Sequence, residues 1–259
     1  MESLEKLQEE VRKLNNKLDG ISDDLVNALE KYQREYEKLL LKKNFDLEQG
    51  KLKRNIKNYN TAQSINPFRE LGFNELAIDH IKKYDDIAGY QLLFNKRIGI
   101  DTDFDFQDVS IIKQFKDTDL GTMYSEGQLL DSLVKKELVN AIALNTPIDT
   151  AIENLSENLL GAGEKTGRLA RYATTYIRTS LKGLSMAIDK ELYDKIGVNE
   201  FLYVGALDGK TRHFCKTRLG KKFTTEQIEK FGEQNGSGID GFFSPGGFNC
   251  RHRMLPANV

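Results

Sequence analysis

Gly197-Val198-Asn199-Glu200-Phe201-Leu202-Tyr203-Val204-Gly205 is where the texture of this chain changes. Before it the sequence follows helical spacing, whereas the apolar and aromatic run from Glu200 to Val204 suits a short strand. Nine of the 21 glycines follow between residues 198 and 247, and Phe223, Phe231, Phe242, Phe243 and Phe248 supply a small aromatic core. Glycine and phenylalanine mixed in this way specify a compact, loop-rich module with a few short strands. Asp208-Gly209, between Val204 and Phe214, reads as the turn of a hairpin. Thr224 is placed to cap one helix running to Lys230. The expected class is α+β: a mostly helical N-terminal arm and body, then a small glycine- and aromatic-rich C-terminal module of short strands.

Upstream, Leu4, Leu7, Val11, Leu14, Leu18, Ile21, Leu25 and Ala28 step alternately by three and four, the a/d repeat of a coiled coil. The repeat broadens through Tyr32, Tyr36, Leu39 and Leu40, as an ordinary buried face does. The seam has two readings. In one, Leu4, Leu7, Val11, Leu14, Leu18, Ile21 and Leu25 dock a partner; in the other, the helix folds back on its own domain. A polar run from Gly50 to Asn66 puts a boundary near Pro67. Helical spacing resumes over Asn74 to Lys96, Glu126 to Leu144, Pro147 to Leu160 and Lys165 to Lys195. The expected division is an arm over 1–66, a helical body over 67–196 and the module over 197–259.

Charge is balanced overall, 38 Lys+Arg against 39 Asp+Glu, but not along the chain. Residues 164–259 carry 16 basic and 10 acidic side chains, or +6, which leaves 22 and 29, or −7, for residues 1–163. Within the basic end, Lys210, Arg212, Lys216, Arg218, Lys221 and Lys222, with Arg251 and Arg253, could contact phosphates of DNA, or could simply be a solvated face. No run approaches the roughly 20 apolar residues of a membrane-crossing helix. The acidic start MESLEKLQEE is unlike a secretory leader, so no membrane association is expected and the chain should stay where it is made. Asp101, Asp103, Asp105 and Asp108 open like a calcium loop, but Phe106 stands where the tight turn needs glycine. No Walker loop, dinucleotide fingerprint or H-E-x-x-H occurs.

Two of the three histidines flank the only two cysteines, as His213-Phe214-Cys215 and Cys250-Arg251-His252. Imidazole and thiolate are the preferred ligands of tetrahedral zinc, so the four form a candidate metal site. An H-x-C pair in a strand places both side chains on one face about 7 Å apart, a usable but uncommon reach. Two other readings stay open: reduced cysteines and histidines packed in a core, and a redox or reactive role. A catalytic set of Asp208, His213 and Cys215 lacks a recognisable nucleophile turn.

Read in order, several pieces resemble the phage head morphogenesis family, the Mu F-like minor capsid proteins. They are Arg178-Thr179 on a helix, Tyr193 with Gly197, the strand Phe201 to Val204, Asp208-Gly209-Lys210-Thr211-Arg212 with Cys215, Gly220 with Phe223, and Pro245 to Cys250-Arg251-His252. Leu144 to Ile152 is similar to the helices that precede the arginine-threonine helix in that family. The resemblance spans about residues 130 to 256. Ser180 stands where the family usually has glutamate, and His252 replaces the second cysteine of a Cys-Arg-Cys ending. The resemblance implies a non-enzymatic minor head protein in the virion, made in the host cytoplasm. Its implied partners are the portal or other capsid proteins, and its implied work is head assembly or DNA packaging and delivery.

Overall fold

The computed structural model describes residues 3–46, 51–52, 71–100, 110–144, 146, 150, 153–157, 161 and 167–258. Pro67, the segment from Asp101 to Asp108 and most of the Pro147 to Leu160 stretch lie outside them. The architecture is α+β: long helices with a small antiparallel sheet near the C-terminus. The chain divides into two compact units: Met1–Ser22 with Lys82–Asp117 and Thr175–Val259, and Asp23–Ile81 with Thr118–Thr174. The units do not follow breaks at 66 and 196, because each is assembled from separated stretches.

The first unit holds the chemistry-bearing residues. It contains the first half of α1 (Leu4–Asn44) and helix α3 (Tyr84–Arg97), which follows α2 (Phe73–Lys82) after a break at Lys83. The start of α4 (Ser110–Ala143) belongs to it as well. After α5 (Arg168–Tyr172) and one π-helical turn (Ala173–Ile177), α6 (Arg178–Lys195) packs on α3. Gly197 terminates α6 in the left-handed region at φ 75°, and Val198 N donates to Tyr193 O at 2.9 Å. That is the Schellman closure, which favours a residue without Cβ. The chain then turns into β3 (Glu200–Gly205), the centre of a sheet ordered β4-β3-β5, with β4 at Lys222–Thr224 and β5 at His252–Pro256. Both neighbours run antiparallel to β3; Phe201 pairs with Phe223 on one side and Gly205 with His252 on the other. Phe201, Tyr203, Phe231 and Phe242 form the buried aromatic centre of this module.

The expected hairpin is corrected. Asp208 to Thr211 does make a tight turn, but it leads into a short helix, α7 (His213–Lys216), rather than a strand. Helices α8 (Thr225–Glu229) and α9 (Phe231–Gln234) follow β4, so the module has three short helices where one was expected. Thr224 caps α8 as predicted, and its N–H donates to Gln227 Oε1 at 3.0 Å.

The second unit contains the later part of α1, α2 and most of α4. Tyr32 lies 5.3 Å from Phe73 between ring centroids, and the Tyr36 hydroxyl donates to buried Asp131 at 2.9 Å. Leu169 N donates to Gln33 Oε1 at 2.9 Å, which fixes the start of α5 against α1. The two-residue strands β1 (Phe45–Asp46) and β2 (Lys51–Leu52) also lie here.

Docking by the heptad seam is corrected too. Leu7, Val11, Leu14, Leu18, Ile21 and Leu25 are buried within the chain, and only Leu4, 36% exposed, reaches the surface. In the first unit, α1 is tied to its neighbours by Gln8 Nε2 donating to Gly205 O at 3.0 Å and Asn15 Nδ2 donating to Arg251 O at 3.1 Å. An apolar stripe already covered by its own domain has no area left for a partner. Among the described residues no helix is long and apolar enough to cross a membrane.

Candidate metal centre

Three of the four expected ligands meet. Cys215 on α7, Cys250 in the turn before β5 and His252 at the start of β5 present ligand atoms that all lie within 4.8 Å of one another. Cys250 Sγ stands 3.7 Å from His252 Nδ1. All three side chains are buried, at 2%, 5% and 2% exposure, and both cysteines are free thiols. The cluster could hold a metal ion. His213 is not part of it, which corrects the fourth assignment. The H-x-C pair sits on a helix, where residues two apart point about 200° apart, so burying Cys215 turns His213 to solvent.

Tight backbone approaches build the cradle. A Cβ at Gly246 would fall 2.5 Å from Cys215 Sγ and 2.7 Å from Cys250 Sγ, so the sulfurs lie where only glycine leaves room. A Cβ at Gly205 would fall 2.5 Å from the His252 ring, which sits over its directly paired neighbour in β3. The ring centroid of Tyr203 lies 5.2 Å from that of His252. Two buried atoms here have no hydrogen-bond partner, Tyr203 Oη and His252 Nε2. A buried polar atom without a partner is costly, so both orphans point to a group that belongs in the cluster.

The thiols share charge unequally. Cys215 is pulled well below the ordinary thiol value, chiefly by its pairing with Cys250, with His252 and Tyr203 beside it acting in the same direction. Cys250 is pushed up by the same pairing and by burial. The pairing of the two thiols by itself favours a single negative charge, whereas a divalent cation favours both thiolates.

Two cationic side chains expected at a phosphate surface instead hold this cradle. Arg212 donates from Nη1 to Gly246 O and from Nη2 to Phe248 O, both at 2.6 Å, clamping the turn that carries Gly246. Arg218 stacks on Phe214 at 3.5 Å, donates to Phe214 O at 3.1 Å and reaches Gln234 at 2.8 Å. Lys222 faces Glu200 across the strand pair at 3.3 Å, while Lys210, Lys216 and Lys221 are exposed. Arg251 makes a bidentate pair with Asp208 at 2.6 and 2.7 Å, which holds the Asp208 carboxyl well below the usual carboxylate range.

Arg253 was expected among the surface cations and is fully buried instead. Its guanidinium donates to Asp189 Oδ2 at 2.7 Å. Asn95 donates to Asp189 Oδ1 at 2.8 Å, and the Tyr193 hydroxyl donates to Asn95 at 3.0 Å. Gln91 and Ser185 complete the network, which joins α3, α6 and β5. Burial pushes Asp189 up and Arg253 down, and their mutual attraction opposes both shifts. The sequence carries no clear signal for this pair, because Arg253 reads as the end of the polar stretch Arg251-His252-Arg253 that precedes Met254-Leu255-Pro256-Ala257.

Comparisons with family models, curated proteins and solved structures found no match to this chain. The residue geometry of the module therefore carries the functional reading.

Proposed function

We propose that this chain is a structural, non-catalytic minor head protein of a tailed phage, similar to the head morphogenesis family, and that zinc staples its C-terminal module. One observation carries the reading: the residues that bear the resemblance are the ones that build this module. Thr179 Oγ1 accepts from Asn249 N at 3.1 Å, Gly197 closes α6, Thr211 Oγ1 donates to Ala206 O at 3.0 Å, and Asp208 holds Arg251. Each of them shapes the path of the chain around Cys215, Cys250 and His252.

The ligand set fits zinc. With Zn–S near 2.3 Å and Zn–N near 2.0–2.1 Å, a sulfur and a nitrogen ligand on a tetrahedron stand about 3.5 Å apart. Cys250 Sγ and His252 Nδ1 are 3.7 Å apart without any metal to draw them in. Zinc would add folding free energy by linking α7, the turn at Cys250 and β5, three segments far apart along the chain or of different local structure. The exposed Lys210, Lys216 and Lys221 remain available for sequence-independent contact with packaged DNA phosphates, a contact that weakens with salt. The portal or another capsid protein is the partner in this reading, and the head interior or portal region is its place in the virion.

The test is to tag the chain in the genome that encodes it, induce particle production and separate the particles by density. The chain is expected in DNA-filled heads at a fixed ratio to the portal protein, with about one zinc per copy. Its absence from both filled and empty heads would overturn the assignment. Catalytic turnover on nucleic acid by the purified chain would favour a second reading, a toxin- or nuclease-type enzyme that carries a phage-head-like module.

A further inference from the structure

We propose that the Tyr203 hydroxyl is the outer hydrogen-bond donor to the thiolate pair of Cys215 and Cys250, a positioning group that sets the electron donation of both sulfurs to the metal. The inference rests on the metal reading above and concerns the protein's own residues around that metal. Tyr203 is fully buried in the middle of β3, and its Oη has no hydrogen-bond partner. The space at Gly246 shows what the hydroxyl faces: a Cβ placed there would lie 3.4 Å from Tyr203 Oη as well as against both sulfurs. The ring is confined by Phe223 at 6.3 Å, Phe231 at 6.1 Å and His252 at 5.2 Å, so the hydroxyl end of the side chain points into the sulfur pocket.

A phenol at this place has two roles open to it, and charge decides between them. Two thiolates already neutralise a divalent cation, and His252 adds no charge. A fourth, anionic phenolate ligand would leave a net negative charge in a buried site, which is strongly unfavourable. A neutral phenol keeps its proton and donates it to a thiolate, a charge-assisted bond that satisfies the orphaned hydroxyl at no net charge. Outer-shell donors of this kind orient the ligands and tune the metal.

Cobalt(II) in place of zinc reads the effect, because a hydrogen bond stabilises the sulfur lone pair and raises the energy of sulfur-to-cobalt charge transfer. In Tyr203→Phe, cobalt is expected still to bind once per chain, with affinity lower by about 10- to 100-fold and the charge-transfer band moved to lower energy. Tyr193→Phe removes another buried phenol hydroxyl, one bonded to Asn95 and not to sulfur, and is expected to leave the band in place. Incorporating ring-fluorinated tyrosine into the otherwise unchanged chain makes the donor more acidic and is expected to move the band to higher energy, whether or not Tyr203→Phe folds. A band that stays put in both the Tyr203→Phe and fluorinated proteins, with cobalt bound, overturns the inference and leaves the metal reading intact. A wild-type chain that takes up neither cobalt nor zinc overturns both.

Discussion

Gly246 decides how closely the backbone passes the two sulfurs. A methyl group there would overlap Cys215 Sγ and Cys250 Sγ, both under 3 Å away, and Arg212 holds the turn in place through Gly246 O and Phe248 O. Gly246→Ala is therefore expected to lower stability by about 1–3 kcal/mol through overpacking, and to weaken metal uptake as well. Cys215→Ser, Cys250→Ser and His252→Ala are each expected to abolish uptake. His213→Ala makes the sharpest contrast: it removes an equally good ligand type that faces solvent, so metal content stays at the wild-type level and stability changes by no more than about 0.5 kcal/mol. Metal analysis of the purified variants, paired with denaturant unfolding, checks all five. A loss of zinc in His213→Ala would return that residue to the site and place α7 in a different rotation.

Strand β5 takes its position from Arg253. Neighbouring residues in a strand point to opposite faces, so His252 and Arg253 share one anchor: fixing the guanidinium against Asp189 on α6 sets the imidazole into the cysteine pocket on the other side. A slip of one residue would exchange the two faces, burying Arg253 against sulfur and pulling His252 out of the cluster. Removing one partner of a buried ion pair leaves the other uncompensated, so Arg253→Ala is expected to destabilise by about 3–5 kcal/mol. Arg253→Met combined with Asp189→Leu is expected to recover most of that loss, as a double-mutant cycle in urea would show. Recovery by Arg253→Met alone would mean that packing of the stem rather than the ion pair holds the strand. The same pair explains why β5 was hidden in the sequence while β3 was legible. Glu200 to Val204 carries strand-forming aromatics after a helix stop, whereas all five residues of His252–Pro256 are buried, so no alternation of polar and apolar residues marks them. The meeting of Cys215, Cys250 and His252 was legible from their mirrored spacing, but the exclusion of His213 depended on α7 being one turn of helix, too short to leave a periodic signal. Tyr203, Gly205 and Gly246 were invisible as site residues because their roles depend on what the sheet register and the Arg212 clamp bring beside them.

For the whole molecule, the first helix distinguishes a chain that completes its own core from one that waits for a partner. The a/d stripe was legible, but periodicity alone cannot say which surface covers it; the cover comes from segments more than a hundred residues away, at Gly205 and Arg251 in the first unit. An intramolecular seam and an intermolecular one differ in mass action. If a second chain supplied the cover, the midpoint of thermal unfolding would rise with protein concentration; a self-covered stripe unfolds at one temperature whatever the concentration. Leu18, fully buried in the middle of the stripe, is the place to apply this. Leu18→Ala removes three carbons from a filled site and is expected to lower stability by about 2–5 kcal/mol. The drop in Tm should be the same at every concentration, and the sedimentation behaviour of the folded chain should not change. A decrease that shrinks as the protein is concentrated would show that the seam is completed by association, and would restore Leu7 to Leu25 as a docking surface.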